Sequence, residues 1–129
     1  VYTHFKLEED TNMRSGKFDE ELLRMAAMVP KLKATAMVLF NESFAATNER
    51  EGSEIAWQIC NALLEKGIKV VFVTHLYAFA RKLYAKKSPE VLPLRVASNE
   101  ESNKKFTVSE AEPLSTSFAK EIYQKVFAD

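Results

Sequence analysis

The six residues Met37-Val38-Leu39-Phe40-Asn41-Glu42 decide the fold. Four apolar side chains in a row break off into an amide and a carboxylate. A strand with one covered face alternates apolar and polar residues. A continuous run calls for cover on both faces, as in a parallel strand flanked by helices. A second run of the same kind, Val70-Val71-Phe72-Val73, stops as sharply at Thr74-His75. The segment between them reads as a polar loop, Ser43 to Gly52, and then a helix. Asn48 and Glu51 have capping-box spacing. Ile55, Ala56, Ile59 and Leu63 recur at helical intervals, and Lys66-Gly67 stops the helix. Strand, helix and strand predict a right-handed parallel crossover. Ligands of open α/β sheets bind beyond the carboxyl ends of the strands, so Asn41-Glu42 and Thr74-His75 mark the edge where chemistry is expected.

Outward from this unit, residues 1–6 alternate weakly at Val1, Thr3 and Phe5, a strand pattern. The polar stretch Glu8 to Gly16 reads as a loop. From Lys17, Phe18, Leu22, Met25 with Ala26, and Val29 repeat at helical spacing, with acids in the first turn, where the helix dipole favours them. Pro30 ends this helix. After His75, the residues Leu76, Phe79, Ala80 and Leu83 mark another helix, broken at Ser88-Pro89. Leu92, Leu94 and Val96, then Phe106 and Val108, predict two antiparallel strands joined by the turn Ser98 to Asn103, with Pro93 placing the first at an edge. Phe118, Ile122 and Val126 predict a last helix. The class expected is α/β, with parallel strands flanked by helices plus an antiparallel hairpin.

The chain has 129 residues, enough for one domain with a real core. Eighteen basic residues balance eighteen acidic ones. That excludes an autonomous electrostatic nucleic-acid binder, which needs a basic surplus. The single Cys60 excludes an intrachain disulfide framework, and no Cys/His cluster has zinc spacing. No apolar run approaches a membrane span of about 18 residues. The start, Val1-Tyr2-Thr3-His4, has neither an initiator Met nor a signal peptide. The expectation is a cytoplasmic piece of a longer protein. Lys82, Lys86, Lys87, Lys104 and Lys105 read as solvated surface, Trp57 and Cys60 as core or interface, and Met25 and Met28 as core filler.

Three elements carry candidate chemistry. Apolar residues followed by Asn41-Glu42 have the form of a Walker B segment. There the strand aims its last residues at a cleft, the first orienting Mg²⁺ and its waters and the second polarising the water that attacks a γ-phosphate. The plainer reading is a buried strand ending in a solvated loop. His75 stands where an imidazole can hydrogen-bond a γ-phosphate; the plainer reading is a helix cap or an exposed loop residue. Ser15-Gly16-Lys17-Phe18 opens a helix whose free N–H groups suit an anion; the plainer reading is a simple cap.

Taken together, these elements resemble the second half of the ATPase domain of MutS-type DNA mismatch-repair proteins, within the ABC-ATPase class. Gly16-Lys17-Phe18 with Glu21 is similar to the family's signature motif. Asn41 to Gly52 is similar to its Walker B acid pair and D-loop. Thr74-His75 with Tyr77 resembles its switch-histidine segment, and Ser117-Phe118-Ala119 its closing element. The likeness runs over about residues 14 to 125 and is weakest over 85–110. It implies that residues 1–129 are the C-terminal half of a P-loop NTPase domain of ABC type that lacks the Walker A unit. It further implies Glu42 as catalytic carboxylate, His75 as γ-phosphate sensor, and Asn41 at the Mg²⁺-directing position, acting through water. Ser15, Gly16 and Lys17 would meet ATP held by a partner subunit. Thr47 and Asn48 would lie at the interface of a homodimer. The implied activity is ATP hydrolysis with Mg²⁺ in the intact protein, controlling binding of double-stranded DNA through other domains.

The chain departs from that pattern in three places. It has no G-x-x-x-x-G-K-[ST], so alone it lacks a phosphate cradle and is expected to be inactive. Asn41 replaces an acid, and Gly16-Lys17 replaces a hydroxyl pair. Two other readings stay open: a fragment of another ABC or RecA-like chromosome-maintenance ATPase, and a non-catalytic α/β interaction module.

Overall fold

A computed structural model describes residues 1–6, 16–96, 107–115 and 119–127, with the side chains of 119–122 left aside. The chain forms two compact units, Val1–Lys82 and Leu83–Asp129.

In the first unit, β1 (Tyr2–Phe5), β2 (Met37–Asn41) and β3 (Lys69–Val73) form a parallel sheet in the order β1-β2-β3. Phe40 lies between His4 of β1 and Phe72 of β3, and Asn41 between Phe5 and Val73. Helix α1 (Lys17–Met28) starts at Gly16 and runs into a single 3-10 turn, Val29–Lys31, that contains Pro30. Proline fits within the first turn of such a helix because its missing N–H has no partner to lose there. Helix α2 (Glu49–Glu65) is capped by Asn48, whose Oδ1 accepts from the Glu51 amide at 2.9 Å. It ends at Lys66-Gly67, with Gly67 at φ 75°. Helix α3 (Tyr77–Ala85) opens after His75. Thr74 Oγ1 accepts from the Leu76 amide at 2.9 Å and sets that opening. The core gathers Met25, Val38, Phe40, Phe44, Ala56, Cys60, Leu63, Ile68, Leu76 and Phe79. An aromatic chain runs through it: Phe40 stacks on Phe72 at 4.6 Å between centroids, and Phe72 meets Phe79 at 4.8 Å.

In the second unit, β4 (Leu94–Val96) pairs antiparallel with β5 (Val108–Glu110), Leu94 opposite Glu110 and Val96 opposite Val108. Helix α4 (Ala119–Phe127) ends the description. The predicted turn at 98–103, Phe106, and Ser117-Phe118 lie outside the described residues. Leu92 precedes β4 rather than forming part of it.

Three expectations need correction. In β1 the alternation runs the other way. His4 is fully buried, whereas Val1, Thr3 and Phe5 are exposed. The imidazole faces inward because both its nitrogens find partners there and its ring stacks on Phe44 at 5.2 Å. In α1, Ala26 is exposed and Glu21 takes a core position with Met25, one turn away. Strand β3 is not covered on both faces: Val71 is 49% and Val73 54% exposed. It is a border strand, and one of its faces has no helix over it among the described residues.

Candidate functional site

The carboxyl ends of β2 and β3 lie side by side because the two strands are parallel neighbours in register, Asn41 opposite Val73. The Glu42 amide donates to the Val73 carbonyl at 2.9 Å, carrying the ladder one residue beyond the strand. On the other side, the Lys6 amide donates to the Asn41 carbonyl at 3.0 Å. The two polar pairs read from the sequence therefore meet at one edge. Glu42 Oε1 stands 3.2 Å from His75 Nε2. The imidazole is 89% exposed and the carboxylate 27%, so the pair faces solvent while the carboxylate is partly shielded.

The turn after β2 is unusual. Glu42 has φ 56° and Phe44 φ 66°, both in the left-handed region and neither a glycine. A side chain there costs about 1–2 kcal/mol per residue, so the surroundings must fix the turn. Four contacts do so. The Phe44 ring is fully buried against His4, Phe40 and Phe72. The Phe44 amide donates to Glu21 Oε2 at 3.2 Å. Ser43 Oγ donates to the His4 carbonyl at 2.6 Å and lies 2.7 Å from His4 Nδ1. The Phe44 carbonyl presses on Gly52, where a Cβ would come within 2.2 Å of it. Glycine is the only residue that fits at the second turn of α2.

His4 and Glu21 form the buried polar part of this support. His4 Nε2 lies 2.8 Å from the Glu21 carbonyl, so Nε2 carries the ring hydrogen and Nδ1 accepts. The Ser43 hydroxyl, which donates to the His4 carbonyl, lies between that carbonyl and Nδ1. Burial pushes the His4 pKa below its ordinary value, partly offset by the bond to the Glu21 carbonyl. Burial raises the Glu21 pKa, opposed by the Phe44 amide and by the nearby Arg24 charge. Arg24 itself binds Glu20 at 2.7 Å and the Phe5 carbonyl at 2.8 Å.

The other sequence candidates are placed as follows. Asn41 ends β2 with its residue exposed at the same edge as Glu42. Thr47 and Asn48 serve the start of α2: Thr47 Oγ1 donates to Glu51 Oε2 at 2.7 Å beside the Asn48 cap. Gly16 is the N-cap of α1 with open space where a Cβ would be, and Lys17 is its first residue. Ser15 lies outside the described residues. Lys82 pairs with Glu54 at 3.8 Å and sits 4.4 Å over the Trp57 ring, so it does not belong to a free basic patch. Sequence reasoning missed His4, Ser43, Phe44 and the buried role of Glu21. One signal was present for Glu21, a carboxylate four residues before Met25 on the core side of α1.

Asn41 and Glu42 are oxygen donors of the type that Mg²⁺ takes in ones and twos, the remaining ligands being water or phosphate. No cluster of three metal-binding side chains occurs among the described residues. No helix of the described residues is long and apolar enough to cross a membrane.

No model of a known protein family matches the chain. It is 31% identical over 75 residues to the DNA mismatch repair protein MutS of Thermotoga petrophila, covering 58% of this chain and 10% of that protein. It is 30% identical over 76 residues to the Endonuclease MutS2 of Thermus thermophilus, covering 59% of this chain and 10% of that protein. To the Endonuclease MutS2 of Clostridium acetobutylicum it is 29% identical over 91 residues, covering 70% of this chain and 11% of that protein. The chain spans about a tenth of the length of these relatives. It is a distant, partial homologue of MutS and MutS2 proteins.

Proposed function

We propose that this chain is the C-terminal half of an ABC-type P-loop NTPase domain in a MutS-related protein, and that Glu42 and His75 act on ATP there. The observation that carries the reading is the 3.2 Å approach of Glu42 Oε1 to His75 Nε2 at the carboxyl edge of two parallel strands. Homology to MutS and MutS2 supports it. So does the border position of β3, whose outer rim is where a further strand would continue the sheet.

Glu42 orients a water molecule and accepts its proton as the oxygen attacks phosphorus. Its partial shielding strengthens that interaction relative to bulk water. His75 donates a hydrogen bond from Nε2 to a phosphate oxygen. Asn41 would help hold a hydrated Mg²⁺, which when bound would supply positive charge to the phosphate oxygens. Gly16 and Lys17, at the opening of α1, face the nucleotide of a second copy of the domain. Thr47 and Asn48 couple the two sites across the homodimer. The cradle for the inner phosphates belongs to residues outside this chain. Double-stranded DNA is bound by other domains of a cytoplasmic protein, and ATP turnover controls that binding.

The test is Mg²⁺-dependent ATP binding and hydrolysis by the intact protein. The expected result is both. Asn41 in place of an acid favours one other reading, a non-catalytic α/β interaction module. Absence of Mg²⁺-dependent ATP binding in the intact protein would select it.

A further inference from the structure

Nothing in the ladder of β2 requires Glu42 to point at His75. The strand ends at Asn41, and the next residues turn through two left-handed positions that Glu and Phe do not favour. What holds them comes largely from α1 and β1. Glu21 is 2% exposed, and its carboxylate accepts from the Phe44 amide. A buried carboxylate without a partner is costly, and so is a buried amide; each satisfies the other here.

We propose that Glu21 is a positioning residue for the Glu42–His75 pair: by accepting from the Phe44 amide it locks the 42–44 turn to α1, so that the aim of Glu42 follows the position of that helix. This rests on the proposed function in one respect, that Glu42 is the reacting carboxylate. The route is short. The Glu21 carboxylate holds the Phe44 amide, the Phe44 ring is wedged between His4 and Phe72, and the Phe44 carbonyl seats on Gly52 at the start of α2. The hydroxyl of Ser43 binds the His4 carbonyl between them. Glu42 has its amide fixed to Val73 and its successor fixed to β1, which sets its Cα–Cβ direction, and from there its carboxylate reaches His75. A shift of α1 would pull on the Phe44 amide and turn Glu42 with it.

The experiment reads the His75 ring by NMR in a dilute sample of these 129 residues, which contain two histidines. Glu42→Gln removes the anion beside His75 and sets a reference displacement of its ring signal. Glu21→Leu removes the acceptor while keeping an apolar side chain of similar size in the core. It is expected to displace the His75 signal in the same direction by roughly half the reference or more, as coupled neighbours do. Glu21→Gln keeps an oxygen that can accept from Phe44 and is expected to leave the signal in place. Glu21→Asp withdraws the carboxylate by one methylene and is expected to move it; this variant serves if Glu21→Leu does not fold. A folded Glu21→Leu or Glu21→Asp chain with an unmoved His75 signal overturns the proposal. So does Glu21→Gln moving the signal as far as Glu21→Leu. ATP turnover by the intact protein is measured separately. Its absence alongside a responsive His75 signal defeats the ATPase reading and leaves the positioning role intact.

Discussion

Glu42 and His75 follow different strands, yet Glu42 Oε1 and His75 Nε2 stand 3.2 Å apart. Register brings the two residues to the same edge, and the turn after β2 aims the carboxylate. Asn41 pairs with Val73, so the residues just beyond each strand emerge at the same height. A slip by one residue would send the two side chains to different faces.

In the intact protein, Glu42→Gln should slow ATP hydrolysis by roughly a hundredfold or more, the usual scale for losing a general base, while Mg²⁺-dependent ATP binding stays within a small factor of wild type. Single-turnover hydrolysis together with nucleotide binding checks this. Wild-type turnover in Glu42→Gln would remove Glu42 from the reaction.

Restoring an acid at the end of β2 should strengthen the hold on Mg²⁺. One added charge near a divalent cation is worth about 1–2 kcal/mol in a well-solvated site. Asn41→Asp in the intact protein should therefore lower the Mg²⁺ concentration for half-maximal hydrolysis by roughly tenfold. A Mg²⁺ titration that does not move would show that Asn41 stands apart from the metal.

Gly52→Ala places a Cβ where the Phe44 carbonyl lies 2.2 Å away. Backbone on both sides prevents relief by a rotamer change. The cost should be about 2–3 kcal/mol, at the upper end for overpacking. Urea denaturation of the two chains measures it. A difference within about 0.5 kcal/mol, the range of an innocuous surface change, would mean that the 42–44 turn is looser than described.

His4 gives the stability a pH dependence of known sign. Burial holds its pKa below the ordinary value of 6.5, so below that pH the unfolded chain binds more protons than the folded one. Its contribution is present above the unfolded value and is lost as pH falls through about 6.5 toward the folded value. Glu21 has the opposite sign. Burial lifts it above 4.5, so the stability it contributes in acid is lost as pH rises through that value toward the raised one. Wild type should lose more stability than His4→Gln between about pH 7.5 and 5.5. Arg24 and Glu20, the charges near His4, remain in both chains, as does His75. Equal losses would show that His4 does not titrate in that window.

The sheet and the pairing of polar strand ends were legible in the sequence because they depend on repetition. Two apolar runs, each ending in a polar pair and separated by a capped helix, admit few arrangements. The support beneath Glu42 was not legible, for a physical reason. Its parts come from β1, α1 and the turn, and each is locally improbable: a histidine facing inward from a strand, a carboxylate on the core side of a helix, a phenylalanine at positive φ. Each is stable only because the others are present. Phe5 looked like the inward residue of β1 because hydropathy alone ranks it above His4. The ranking fails once the imidazole has Ser43 and the Glu21 carbonyl as partners. The bare face of β3 was hidden for a different reason: Val71 and Val73 have the composition of a covered strand and lack the cover.

That face has a practical outcome at the bench. Among the described residues β3 is a border strand with two surface valines, a template for intermolecular pairing guarded at its start by the charge of Lys69. A preparation of these 129 residues by themselves should cloud as it is concentrated. Replacing Val71 and Val73 with threonine, which keeps the β-branched shape, should keep it clear.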